Sequence, residues 1–368
     1  MRSYLLARYV IRAVLFAMMV AVVGLWLLQM IFAYLSELEK LSDVYTVQDA
    51  LTLILYRSPY FLVQFIPTGI LLGSVIGLGL LAGNSELVSM QASGVSKYRI
   101  ISWAMIPASL FVVISLAVNQ FVLPTANQKA TAIRHDTPMS HLISVDGYWS
   151  VSEHELGQDI VYISYADSEG RLGKTKRYTL DGNSNLIHAL RAESGNYDKM
   201  AVHSPYLDGR YTWQLNDVEA IDIGTHGVQH SHEDSKLLTL PIAPTDVHLL
   251  TQDPDDMSLT DLYAHKQLMN HQGVSSARHE LKFWQKLLLP FAILSLVLVA
   301  SSFVFGSLRS QGLGLRIVLA LLTGLLFSYL TDLTGFIALA VNLPPLAMTL
   351  LPIIISAAAG IYLLNKRQ

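Results

Sequence analysis

Apolar residues gather in six long runs, near residues 13–35, 60–82, 100–123, 287–306, 314–336 and 343–364. Each run is long enough to cross a hydrocarbon core, which takes about 20 residues as a helix. Between the third and fourth runs the pattern changes to short alternating stretches, at 149–151, 160–165, 186–190 and 211–215. These read as strands. Turn-like Asp181-Gly182-Asn183, Ser194-Gly195-Asn196 and Asp208-Gly209 separate them. Helical spacing returns at Leu259, Leu262, Tyr263 and Lys266, and again from Ser275 through Trp284 into the fourth run. The pattern predicts an α-helical polytopic membrane protein with six transmembrane helices, three on either side of an inserted all-β domain. Its strands suit a sandwich or a jellyroll-like roll. The divisions fall at 1–123, 124–286 and 287–368.

Composition agrees with the pattern. Hydrophobic residues make up 52% of the chain and charged residues 14%, far from the balance of a soluble globular protein. The first run is not expected to be a cleaved signal: it is long, follows Arg2, Arg8 and Arg12, and meets Glu37-Leu38-Glu39-Lys40 without a small-x-small site. The chain has no cysteine, which permits an oxidising compartment without requiring one.

Basic residues orient the spans. Arg2, Arg8 and Arg12 precede the first, Lys97 and Arg99 the third; Arg309 and Arg316 flank the fourth connection, and Lys366 and Arg367 end the chain. The opposite short connections carry only Lys40 and Arg57. By the positive-inside rule both termini are cytoplasmic and the 124–286 segment lies outside, its own charges being exempt because it is long.

One stretch is too polar and too short to span: Gly83-Asn84-Ser85-Glu86-Leu87-Val88-Ser89-Met90-Gln91-Ala92-Ser93-Gly94. Asn84 or Ser85 would cap a short helix, Glu86 would favour its positive end, and Gly94 would close it in the left-handed conformation. A short helix held between two spans acts as a lever through which a cytoplasmic protein can move both. Just before it, Gly69, Gly73 and Gly77 recur every fourth residue, with Gly79 and Gly83 repeating the spacing. Such a stripe lets another helix approach closely. Pro67 allows a local bend or begins the helix.

The candidate chemistry is sparse. Gly173-Lys174-Thr175 lacks the first glycine of a phosphate loop, where Ser168 stands. His226, His230 and His232, beside Glu233 and Asp234, match no zinc-ligand spacing. No Gly-x-Ser-x-Gly elbow occurs. Neither catalysis nor a resident metal or cofactor is expected. Lys40 offers either a contact for an anionic headgroup or a merely solvated ammonium. Asp332, between Thr331 and Thr334, has no basic partner in the spans and reads as an interfacial acid bonded to water or to those hydroxyls.

Three segments carry a family resemblance: Arg8-Tyr9, the block from Gly77-Leu78-Gly79-Leu80-Leu81-Ala82 through Ser85-Glu86-Leu87 to Met90-Gln91-Ala92-Ser93-Gly94, and Phe305-Gly306-Ser307-Leu308-Arg309. They resemble the LptF/LptG permeases, with Asn342-Leu343-Pro344-Pro345 and the short tail closer to the G branch. The resemblance implies a non-catalytic permease of a lipopolysaccharide-export ABC transporter in the inner membrane of a Gram-negative bacterium. ATP would be bound by a separate ATPase dimer, LptB. It implies pairing with the paralogue LptF around a cavity, transfer of lipopolysaccharide to LptC and a periplasmic bridge, and no nucleic-acid partner. By the same resemblance Glu86, with Leu87, Val88, Met90, Gln91 and Gly94, would couple to the ATPase groove. Phe32, Lys40, Phe65, Phe327 and Tyr329 would line the lipid path, and Ala33 stands where family members can carry a further basic residue. The competing reading is a membrane-anchored sensor or scaffold whose outside β-domain binds a ligand. Such a protein has no need of the Glu86 helix.

Overall fold

The computed structural model describes all residues except 1, 43–44, 136–147, 155–156, 165, 167–169, 198–210, 225–226, 241–248, 250–251, 272–275, 306–310 and 367–368. It forms two compact units, one of residues 1–137 with 258–368 and one of residues 138–257.

The first unit is helical. In chain order it contains α1 (Arg2–Leu38), α2 (Val47–Gly83), the short α3 (Glu86–Ala92), α4 (Lys97–Ala117), a π-helical turn (Val118–Val122) and α5 (Leu123–His135). It resumes with α6 (Leu259–His271), α7 (Ala277–Phe305), α8 (Leu313–Ala340) and α9 (Pro345–Asn365). Six of these helices, α1, α2, α4 with its extension, α7, α8 and α9, are long and apolar enough to cross a membrane.

Several helices outrun their predicted spans, α1 from Arg2 among them, and two of these extensions have a clear local cause. α2 begins at Val47, well before residue 60, because Thr46 and Asp49 form a capping box: the Thr46 side chain accepts from the Asp49 amide, and Asp49 Oδ2 accepts from the Thr46 amide at 2.9 Å. Pro59 and Pro67 both lie inside this helix, so Pro67 does not begin it. The third span does not stop at Pro124. Proline cannot donate to the carbonyl four residues back, and the π-helical turn immediately before it lets the helix continue as α5.

α1 and α2 pack antiparallel along the glycine stripe. A β-carbon on Gly69 would fall 2.6 Å from Val22 Cγ2, and one on Gly77 2.9 Å from Val14 Cα, with Gly73 pressed between them against Met18. Residues 14, 18 and 22 of one helix thus meet 77, 73 and 69 of the other, both series rising by one turn. The repeat at Gly79 and Gly83 does not continue this contact. Gly79 faces the tip of Leu313 on α8, and Gly83 has nothing within 4 Å.

The second unit is a seven-stranded antiparallel sheet: β1 (Tyr148–His154), β2 (Gly157–Ile163), β3 (Arg171–Leu172), β4 (Thr175–Asp181), β5 (Leu186–Tyr197), β6 (Tyr211–Gly224) and β7 (Gly227–Leu240). The order β1-β2-β4-β5-β6-β7 follows the chain, and β3 pairs with β5 beyond the stretch that β4 occupies. One face buries Trp213, Leu215, Ile163 and Leu190. The Asp181 turn is as expected: Asp181 Oδ1 accepts from the amides of Asn183 and Asn185 at 2.9 and 2.8 Å.

Ser194-Gly195-Asn196 is not a turn. It lies within β5, where Gly195 pairs with both Leu172 and Leu215. A β-carbon there would stand 2.8 Å from Leu215 Cδ2, so the glycine serves close packing. Asp208-Gly209 lies outside the described residues.

Candidate functional site

The polar stretch between α2 and α4 folds as the seven-residue α3. A helix this short has little stability of its own, and both its ends are fixed by local chemistry. At its C-terminus the Gly94 amide donates to Gln91 O at 3.0 Å and the Val95 amide to Met90 O at 3.1 Å, with Gly94 at φ +92°. That is a Schellman closure, and Val95 and Met90 belong to one buried cluster, its usual apolar companion.

The N-terminus departs from expectation. Neither Asn84 nor Ser85 caps the helix with its side chain; Ser85 is left-handed, at φ +60°. Only two residues separate α2 from α3, and the turn they make spends the Ser85 carbonyl on the Ser89 amide and hydroxyl. Asn84 Nδ2 instead donates to Glu86 Oε1 at 3.3 Å. The Tyr9 hydroxyl of α1 also lies against the Glu86 carboxylate.

The six predicted coupling residues divide by face. Leu87 and Met90, one turn apart, are buried among Val10 and Val14 of α1 and Leu78 of α2. Both face the chain's own bundle and leave almost no surface for another protein. They anchor α3 to its own bundle, and burial of each is worth about 1.5–3 kcal/mol. Val88 is exposed, Glu86 and Gln91 are half-buried, and Gly94 is exposed at the closure. The outward surface is therefore Val88, Ser89 and Ala92, with Glu86 and Gln91 partly accessible at its margins.

The predicted lipid-path residues differ in exposure. Phe32 on α1 and Tyr329 on α8 are strongly exposed, and Phe65 on α2 is half-buried. Phe327 turns the other way and packs on Leu71, Val75 and Leu296. Two positions apart on a helix, Phe327 and Tyr329 cannot share a face. Lys40 lies just beyond α1 with its Nζ 2.9 Å from Glu37 Oε2, and Tyr45 donates to the other Glu37 oxygen at 3.3 Å. Glu37 is 6% exposed, a buried acid that no local motif singles out.

Asp332 is exposed, and neither neighbouring hydroxyl is bonded to it: Thr331 donates to Phe327 O at 2.9 Å and Thr334 to Thr331 O at 3.1 Å. In the sheet unit, Thr175 opens a strand, not the helix a phosphate loop requires, and Lys174 pairs with Glu193 at 3.2 Å. Burial opposes ionisation of the Glu193 carboxyl, but the hydrogen bonds and charges of Arg191 and Lys174 together hold it below its ordinary range. His230 and His232 share one face of β7, whereas Glu233 points to the other and binds Lys236 at 3.0 Å. His226 and the Gly306–Arg309 part of the family motif lie outside the described residues.

Comparison with known proteins places the chain in a family. A family profile described as "Lipopolysaccharide export system permease LptF/LptG" matches residues 8–366. The lipopolysaccharide export system permease protein LptG of Escherichia coli K12 is 27% identical over 367 residues, covering 99% of this chain and 98% of the relative. LptG of Haemophilus influenzae Rd is 26% identical over 366 residues, covering 99% of each. With nearly its whole length matched, the chain belongs to the LptF/LptG family of lipopolysaccharide export system permeases.

Proposed function

We propose that α3 is the docking handle through which a separate ATPase drives this permease. As a family member the chain is a permease subunit of a lipopolysaccharide export transporter, and hydrolysis belongs to another subunit. What carries the proposal is the division of α3 into two faces. Leu87 and Met90 are sunk in the bundle, Val88, Ser89 and Ala92 are exposed on the opposite side, and half-buried Glu86 and Gln91 stand at the margins between them. A helix gripped from within and offered from without transmits a push instead of rolling under it. Glu86 would meet donors in the partner's groove, with Val88 and Gln91 beside it.

In this reading the termini and α3 face the cytoplasm, and the sheet unit is a periplasmic, jellyroll-like module flanked by three spans on either side. The partners are the paralogue LptF, an LptB ATPase dimer, LptC and the periplasmic bridge. The spans α1, α8 and α9 leave most of their surface uncovered within the chain, which supports their contact with the paralogue and lipid. Phe32, Phe65 and Tyr329 would line the lipopolysaccharide path, Phe327 would back that wall from behind, and Lys40 would approach a phosphate.

The test is Glu86→Lys in the full complex. The ATPase is expected to be lost on purification and lipid export to stop; an intact, active complex would overturn the proposal.

A further inference from the structure

The last turn of α9 is tied to the first turn of α4. Lys97 Nζ donates to the main-chain oxygen of Leu364 at 2.7 Å, and the Tyr98 hydroxyl donates to Asn365 Oδ1 at 2.5 Å. The ammonium also lies 5.1 Å from the Tyr98 ring centroid. The final carbonyls of a helix have no partner within it and form the negative end of its dipole, so a lysine placed there both satisfies a carbonyl and answers the dipole.

Lys97 is poorly suited to its own helix. It is the first residue of α4, after the N-cap Ser96, where a helix favours a carboxylate over a cation. Local structure gives no reason for a lysine at this position; the C-terminus of α9 does.

Lys97 is also firmly joined to α3. Only residues 93–96 intervene. The Ser93 hydroxyl donates to Met90 O at 2.8 Å, the Gly94 and Val95 amides complete the Schellman closure, and the Ser96 hydroxyl accepts from the Arg99 amide at 3.3 Å. Val95 is buried in the bundle. A displacement of α3 therefore carries Lys97 with it.

We infer that Lys97, assisted by Tyr98, is a positioning residue that passes the movement of α3 to α9, the last span. Apolar packing between helices permits small axial slips, as in shear motions. A charge-assisted bond to one particular carbonyl fixes the register, so the stroke is delivered without slip. The inference rests on the reading of α3 as the docking handle, and its test separates the two.

In the full complex in lipid nanodiscs, ATP hydrolysis and lipopolysaccharide released per ATP are measured for Lys97→Met, Lys97→Arg and Tyr98→Phe. Methionine keeps the bulk of the side chain and cannot donate. The ATPase is expected to remain bound and to hydrolyse within about twofold of the parent, while lipid released per ATP falls about tenfold, the scale of one lost hydrogen bond to a charged group. Arginine, which can donate to the same carbonyl, should restore most of the yield, and Tyr98→Phe should lower it by less than Lys97→Met does. An unchanged lipid yield in Lys97→Met overturns the inference. So does loss of the ATPase from that complex, which would put Lys97 at the docking surface instead. Failure of Glu86→Lys to release the ATPase would sink the docking reading independently, without changing what Lys97→Met reports.

Discussion

Gly73 of α2 lies so close to Met18 of α1 that a β-carbon on the glycine would overlap the methionine main chain, falling 2.7 Å from its amide nitrogen. The obstruction is backbone, which cannot rotate aside as a side-chain tip could. Gly73→Ala must therefore force α1 and α2 apart and disturb Val22 and Val14 on the turns above and below. The expected cost is about 1–3 kcal/mol, the range for overpacking a close-fitting core. Gly24→Ala is the matched control. Nothing lies within 4 Å of its missing β-carbon, so that change should be neutral or raise the melting temperature through helix propensity. Thermal unfolding of the two variants in one detergent checks both.

A second prediction concerns Lys40, whose ammonium is already held by Glu37. An anion approaching Lys40 has to compete with that carboxylate. Glu37→Gln removes the competing charge and is expected to raise photo-crosslinking of lipopolysaccharide to a probe beside Lys40, while Lys40→Ala lowers it. If neither substitution alters the yield, Lys40 is a solvated lysine and has no part in the path.

The Tyr9–Glu86 contact gives a third. Tyr9→Phe deletes the hydroxyl facing the carboxylate and leaves the ring. Asn84 Nδ2 still orients Glu86, so the ATPase should remain bound, with its affinity for the permease lowered several-fold, as for one hydrogen bond worth about 1 kcal/mol. Titration of the purified ATPase onto permease in nanodiscs measures it. A loss as complete as that expected for Glu86→Lys would mean Tyr9 touches the ATPase directly.

The spans were legible because a run of apolar residues is its own signal, yet their ends were not. Gln48, Asp49, Arg57 and Pro59 interrupt the hydropathy before residue 60, and the Thr46–Asp49 capping box that starts α2 lies among them. In the sheet unit, β7 went unread because an edge strand rich in His, Ser and Glu has no apolar alternation to betray it. Gly195 was misread since Ser-Gly-Asn has the composition of a turn, and only the neighbouring Leu215 side chain shows why a glycine is needed in a strand. For α3, Glu86 and Gly94 were recognisable from local sequence, whereas Leu87 and Met90 were read as facing a partner and turn instead into the chain's own bundle. The Lys97–Leu364 bond was out of reach, since its partners stand 267 residues apart and one of them is a backbone carbonyl.

The final prediction is a pH dependence in the α6–α7 pair. His265 of α6 is 4% exposed and stacks on His279 of α7, with ring centroids 3.6 Å apart and planes 9° from parallel. Its Nδ1 is buried without a hydrogen-bond partner, whereas His279 Nδ1 is engaged by the Ser276 hydroxyl. Nearby, Lys266 pairs with Glu280 at 3.0 Å, the Trp284 indole donates to the same carboxylate oxygen at 3.5 Å, and the Arg278 guanidinium acts on the His279 ring. Burial holds the proton affinity of His265 below its ordinary value of 6.5. The undocked helix accordingly takes up a proton at a higher pH than the docked one. Docking stability is full above about pH 7, then declines as the pH falls through 6.5 toward the lower docked value, by less than about 1.4 kcal/mol per unit. Hydrogen exchange of α6 amides, corrected for intrinsic rates, should show faster opening at pH 5.5 than at pH 7.5. His265→Phe keeps an aromatic ring against His279 and removes one of the pair's two titratable imidazoles, so its profile should be shallower than the parent's across that window. An equally steep profile in the phenylalanine variant would assign the dependence to another group.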